Sequence, residues 1–337
     1  MSVSAESHNH QSVVAPGRAF KLCALPDGVI SEIFAMLGPL GTARCAQVCS
    51  KLRSLSNNNQ VLWRNFVLQH YQMHDVDVSR TDCDWAELFG YMWRQFRNVG
   101  YSHKQRLPAR FVFADDGRLS PRFDGPNNAV SSDGRNRPYS TGLGVVSDVD
   151  YVVDLSQVCL LTGFAIANHC PNCSGPLKEA LVFVSTRPPD LNHARRYDGD
   201  EGKKWVNKLE KLVKKPKKRQ GWWSAGKNNV AGIVQFTADD ASQPVAAFRF
   251  PKAPECFNVR LNRHLEQPVV GRYIHFKLLS IYDVFQCGAT NNIDVMHLHS
   301  FGVALPKHAS ILRKEALETE STIPDYQRIH EIVLQSG

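Results

Sequence analysis

The hydrophobic period of this chain changes once, and it changes in kind. From residue 22 to about residue 99, apolar side chains recur three and four positions apart, the repeat of one helix face. From about residue 110 to about residue 305 they alternate one in two, the repeat of a strand with one buried side. A run of helices followed by a run of strands argues against alternating βαβ units and predicts two separate layers or domains. The 337 residues suffice for both, and 43% apolar against 21% charged residues can supply packed cores. No internal repeat is visible. Residues 98–108 form a polar junction punctuated by Gly100 and Pro108. Residues 1–20 read as a disordered leader. Residues 306–337 read as a polar tail, with a weak helical pattern around 311–317 and a proline at Pro324.

In the helical part, Leu25-Pro26-Asp27 opens a first helix with Asp27 as its expected cap. Val29, Ile30, Ile33, Phe34 and Leu37 follow at helical spacing, and Gly38-Pro39 stops the helix. A second stretch carries Leu40, Ala43, Ala46, Val48, Cys49 and Leu52, and a third carries Val61, Leu62, Trp63 and Phe66. Three short helices bury too little apolar surface to stand comfortably alone, so the outward side of residues 30–37 is expected to need a partner.

These residues resemble the F-box over positions 22–66. Its four anchors stand in order: Leu25-Pro26, Ile33-Phe34, Val48-Cys49 and Leu62-Trp63-Arg64. Gly41 stands where that family commonly has an acidic residue, and Leu52 where it commonly has an aromatic one. Residues 67–106, with Trp85, Leu88, Phe89, Trp93 and Phe96, resemble the helical linker that often follows an F-box. The resemblance implies a non-catalytic substrate receptor of an SCF-type cullin–RING ubiquitin ligase. A Skp-type adaptor, and through it a cullin, would be held by Leu25, Pro26, Ile30, Ile33, Phe34, Leu37, Val48, Cys49 and Trp63. The alternative is a generic helical cap packed on the strand domain.

Strand patterns occur at residues 151–155, 159–167, 179–185, 233–237, 246–250, 257–261, 272–282 and 293–303. In residues 272–279, Ile274, Phe276 and Leu278 alternate with Tyr273, His275 and Lys277, so one side is expected in the core and the other in water. The fold class expected for residues 110–305 is an all-β sandwich of jelly-roll type. The stretches Leu160 to Asn168, Glu179 to Ser185, Val270 to Leu278 and Asn292 to Gly302 resemble the discoidin-type, galactose-binding-like sandwich. That resemblance implies binding of a protein or glycan substrate and assigns no ligand residues. The rivals are a lectin-like binding module with a helical cap and a sandwich hydrolase using His297 or His299.

The net charge of +8 has one source. Residues 203–219 hold nine Lys or Arg and the single acid Glu210, which is the whole excess. A nucleic-acid-binding domain spreads its basic charge over a folded face, so nucleic acid is not expected as the partner. Lys214, Lys215, Lys217, Lys218 and Arg219 fit a nuclear import signal, with a solvated insertion as the equal alternative. Trp222-Trp223 beside the run suits stacking on a base or sugar, or a strand start with one buried ring. Nine scattered cysteines, no signal core and no apolar run near 20 residues predict a soluble protein of a reducing compartment, in the cytoplasm, the nucleus or both. Cys170 and Cys173 form one CxxC, either ordinary loop thiols or half of a zinc or redox site. No nucleophile elbow, P-loop or HExxH is present, so no catalytic residue, metal site or cofactor is assigned.

Overall fold

The computed structural model describes residues 22–73, 83–98, 106–115, 126–130, 139–142, 145–168, 175–213, 232–238, 240, 242–250, 260–282 and 292–305. The chain divides between Trp63 and Arg64 into two compact units.

The first unit holds a short 3-10 turn, Leu22–Ala24, then α1, Asp27–Cys45, α2, Ser50–Asn58, and the start of α3, Gln60–His70. Pro26, not Asp27, occupies the N-cap of α1. Asp27 is the first helical residue, where a carboxylate meets the positive end of the helix dipole and pairs with Lys51 Nζ at 3.0 Å. The expected stop at Gly38-Pro39 is a kink instead. Gly38 takes φ 70°, ψ −179°, a conformation open essentially to glycine alone, and the helix resumes through Pro39 to Cys45. Pro39 has no N–H to give, and the Thr42 hydroxyl lies 3.0 Å from the Phe34 carbonyl oxygen and 2.9 Å from that of Gly38. Asn59 caps α3, its Oδ1 accepting from the Leu62 N–H at 3.1 Å. Ile30, Phe34, Leu52, Leu62 and Trp63 are buried. The Trp63 indole donates to the Ser56 carbonyl at 2.8 Å.

Among its described residues the second unit contains the rest of α3, then α4, Trp85–Asn98, eight strands, and two further helices, α5, Leu191–Arg195, and α6, Asp200–Val213. The strands are β1 Arg110–Ala114, β2 Tyr139–Ser140, β3 Val149–Asn168, β4 Gly175–Ser185, β5 Gly232–Gln235, β6 Ala246–Arg249, β7 Arg260–Ile281 and β8 Ile293–Ala304. Their order is β2-β8-β3-β7-β4-β6-β5, with β1 on β3. Every pairing is antiparallel except a short parallel one between β4 and β8, at Gly175↔Ile293 and Pro176↔Asp294. The unit is thus mostly strands, arranged as a β-sandwich. Its interior is lined by Tyr151, Val153, Leu161, Phe164, Val182, Phe248, Ile274, Phe276 and their neighbours.

Two strands are longer than their patterns. Residues 151–155 and 159–167 belong to one strand, β3, which bends where its register shifts between Asp154 and Cys159. Exposed Ser156 and Gln157, with Ser156 at φ 64°, interrupt the alternation without ending the strand. The pattern at 272–282 is likewise the second half of β7. The expected solvated side of that segment is a correction: Tyr273, His275 and Lys277 are all buried. Charge pairing, described below, engages His275 and Lys277.

The helical linker does not stand apart from the sandwich. The second unit begins at Arg64, whereas the sequence pattern suggested residue 110. The Val270 N–H donates to the Tyr71 carbonyl at 3.1 Å, and the Ala238 N–H donates to Gln72 Oε1 at 3.1 Å. α4 contacts β3, and Phe96 lies 5.1 Å from the His264 ring. His264 pairs with Gly163, and Ala165 and Ala167 alternate with the interior Phe164 and Ile166, so β3 offers its smallest side chains on the opposite side. Small side chains there let a helix approach the sheet closely.

Candidate functional site

Each unit presents one candidate. On the first, α1 carries two apolar stripes rather than one. Ile30 and Phe34, four apart, are fully buried. Val29, Met36, Leu37 and Leu40 are exposed at 40%, 88%, 48% and 47% of their surface, with Val48 at 73%. The residues named from the motif therefore separate. Leu37 and Val48 lie at the surface, Pro26 is exposed, and Leu25, Ile33 and Cys49 are half-buried. Ile30, Phe34 and Trp63 are buried in the helical core. Met36, Leu40 and Val29 were missed. Their signal was present, because α1 has more apolar residues than one stripe can hold. Exposed large apolar side chains gathered on one small element mark a contact surface.

On the second unit, the outer side of β3 and β7 carries buried charges. Asp150 on β3 takes the His275 Nε2 at 2.7 Å and the Lys277 Nζ at 3.1 Å. Lys277, with no exposed surface, also reaches the Asp148 carbonyl at 2.9 Å and the Asp198 carboxylate. One strand turn away, Arg272 binds Asp154 through two bonds of 2.8 and 3.0 Å, with Arg110 at 3.5 Å. Burial alone would raise the Asp150 carboxyl, but the bond and charge of His275 and those of Lys277 hold it below its ordinary range.

Beside this network lies a cleft of about 340 Å³. Its floor is Phe183 and His275, rings stacked 5.1 Å apart, with Pro188 and Pro189 alongside. Its rim includes Asp190, His193, Asp240 and Ser242. The Asp190 side chain caps α5 by accepting from the Asn192 N–H at 2.9 Å and pairs with His193 at 3.1 Å. The two hydroxyls in the cleft are already engaged: Ser185 donates to the Arg187 carbonyl at 2.6 Å, and Ser242 donates to Asp240. His297 and His299, the residues of the hydrolase alternative, stack 4.7 Å apart on β8. Among the described residues no three His, Cys, Asp or Glu side chains gather as a metal site, and no helix is long and apolar enough to cross a membrane. Lys214, Lys215, Lys217, Lys218, Arg219, Cys170, Cys173, Trp222 and Trp223 lie outside the described residues, as do the leader and the tail.

No curated protein matches the chain. Among solved structures it is similar to a family 32 carbohydrate-binding module from Clostridium perfringens NanJ, in complex with galactose. Identity is 10% over 58% of this chain and 98% of that one, with a TM-score of 0.31. A family 32 module of Streptococcus pneumoniae EndoD is 8% identical over 58% of this chain and 99% of that one, at 0.32. The C-terminal domain of a Bacteroides fragilis chitobiase is 9% identical over 60% and 98%, at 0.31. Likenesses of this degree say nothing of what this chain binds. In the helical unit the finding is direct: residues 22–69 match the F-box-like family, so the segment bearing the exposed apolar stripe of α1 is F-box-like.

Proposed function

We propose that the protein is the non-catalytic substrate receptor of an SCF-type ubiquitin ligase. The F-box-like helices hold a Skp-type adaptor, which connects to a cullin, and the sandwich holds a protein or glycan substrate. The observation that carries this reading is the exposed stripe of Val29, Met36, Leu37 and Leu40 within the segment that matches the F-box-like family. Burying such side chains at a contact contributes about 25 cal/mol per Å² removed from water. The mechanism is proximity. A receptor that tethers its substrate beside the conjugating machinery raises effective concentration and needs no reactive group of its own. The cleft beside β4 is the substrate contact in this reading, with an apolar floor and a polar rim.

The test is co-purification of the full chain with a Skp-type adaptor. Met36→Asp with Leu37→Asp should abolish capture while leaving the circular dichroism and melting curve unchanged. Full capture by that double variant overturns the docking surface. No capture by the unaltered chain overturns the ligase reading and leaves a binding module with a helical cap.

A further inference from the structure

His275 stands on β7 with its ring in the wall of the cleft beside β4. The residue is 2% exposed, and the ring is held on two sides. Phe183 of β4 stacks on it at 5.1 Å, and its Nε2 lies 2.7 Å from Asp150 Oδ1. The Asp150 carboxyl is held below its ordinary range, so near neutral pH it is an ionised acceptor and takes the Nε2 proton. In the neutral ring this makes Nδ1 the lone-pair side. Among the described residues no group bonds to Nδ1, and Nδ1 is not among the polar atoms sealed from solvent without a partner. The opening it meets is the cleft that the residue lines.

The charges behind the ring do not balance. Lys277 is one cation against the two carboxylates of Asp150 and Asp198. With His275 neutral, the cluster holds one negative charge in excess, and burial strengthens its reach. In front of the ring, Asp190, Asp240 and Arg187 line the cleft, and Arg196 bonds the Ser242 carbonyl and hydroxyl at its rim. The two arginines offset the two rim acids and leave the excess behind the ring. His193 pairs with Asp190 and adds charge only when protonated. Arg110, largely exposed, lines a separate small pocket with Asp154, which shares only Pro188 and Pro189 with the cleft. At about 340 Å³ the cleft is at the small end of ligand sites, which run roughly 300–1,000 Å³, and suits one side chain.

We propose that the cleft takes a basic side chain of a peptide, a lysine ammonium or an arginine guanidinium, which donates an N–H to His275 Nδ1 while its alkyl stem lies along Pro188 and Pro189. The inference rests on the reading of this cleft as the substrate contact and names the class of substrate. A cationic donor supplies at once the proton that Nδ1 lacks and the positive charge that the cluster lacks. Basic side chains are commonly held this way, with the stem on apolar surface and the head on a polar group. A sugar hydroxyl would supply the proton and leave the charge excess. A carboxylate or phosphate would meet that excess as repulsion.

The experiment titrates the full chain, without adaptor, with the N-acetyl methylamides of lysine, arginine and norleucine and with galactose, followed by saturation-transfer NMR at about pH 8, where an imidazole is ordinarily neutral. One of the two cations should bind about tenfold or more tightly than the norleucine derivative, which has a similar stem and no charge. Galactose should not displace it. The double variant Asp190→Asn with Asp240→Asn keeps side chains able to cap and accept, and should bind that cation about fivefold or more weakly. Equal binding of the norleucine derivative, no binding of either cation, displacement by galactose, or undiminished binding by the double variant overturns the proposal. Should the double variant fail to fold, the comparison of charged and uncharged probes on the unaltered chain decides alone. Adaptor capture is read separately: capture without cation binding removes this inference and leaves the receptor reading, and cation binding without capture does the reverse.

Discussion

At the scale of single residues, Phe34 and Met36 stand two positions apart on α1 and carry opposite duties. Phe34 is fully buried, so Phe34→Ala leaves a cavity in a small core and should cost roughly 3–5 kcal/mol, read by urea denaturation of the helical signal. Met36, exposed over 88% of its surface, should tolerate Ala within about 0.5 kcal/mol in the same assay. The buried charges are equally unequal. Asp154 is fully buried, and its close partner Arg272 is nearly so, whereas Arg110 is largely exposed. Arg272→Ala should therefore destabilise the sandwich by roughly 3–5 kcal/mol, because it strands a buried carboxylate. Asp150 adds a pH dependence. Its carboxyl is held below the ordinary range in the folded state. It therefore favours folding above the unfolded value, near 3.9, and that contribution disappears as pH falls through the lower folded value. Denaturation at a series of pH values should show a steeper loss below about pH 4 for the unaltered chain than for Asp150→Asn. Equal slopes would remove Asp150 from the account.

At the scale of elements, the long strands are held by close backbone approach. A Cβ on Gly302 of β8 would collide with the Leu160 carbonyl oxygen of β3, and a backbone atom cannot swing aside. Gly302→Ala should cost roughly 1–3 kcal/mol and lower the melting temperature of the sandwich, with little change in the helical unit. The element periods were readable beforehand because each strand buries one side in a common interior and each helix one stripe. Lengths were not. Ser156 and Gln157 look like a loop, yet β3 runs through them, because its pairing with β7 continues on the far side, where β8 joins it. The buried opposite side of β7 was equally hidden. His275 and Lys277 are polar, and only the arrival of Asp150 from β3 and Asp198 from the turn after α5 makes their burial tolerable.

At the scale of the whole molecule, the boundary between Trp63 and Arg64 makes the linker part of the sandwich. A fragment starting at Leu107 loses the carbonyl of Tyr71 and the side chain of Gln72, so the Val270 and Ala238 amides lose their partners. It also uncovers the side of β3 against which α4 rests. We expect a fragment from Gln60 to melt cooperatively, and one from Leu107 to melt lower or aggregate, as differential scanning calorimetry would show. Equal melting would make the linker a passenger. Neutralising Lys214, Lys215, Lys217, Lys218 and Arg219 should move a fluorescently tagged chain from nucleus to cytoplasm if the run is an import signal, and leave its distribution unchanged if it is a solvated insertion. By itself the sequence determined the order of helices before strands, the F-box-like segment and the single source of the net charge. These are local matters of period, motif and count. Tertiary structure alone decided which of two apolar stripes on α1 is core, where the second unit begins, and that Asp150, His275 and Lys277 share one buried network. Each of those depends on what another element covers or pairs with, and Asp150 stands more than a hundred residues from His275 and Lys277 in the chain.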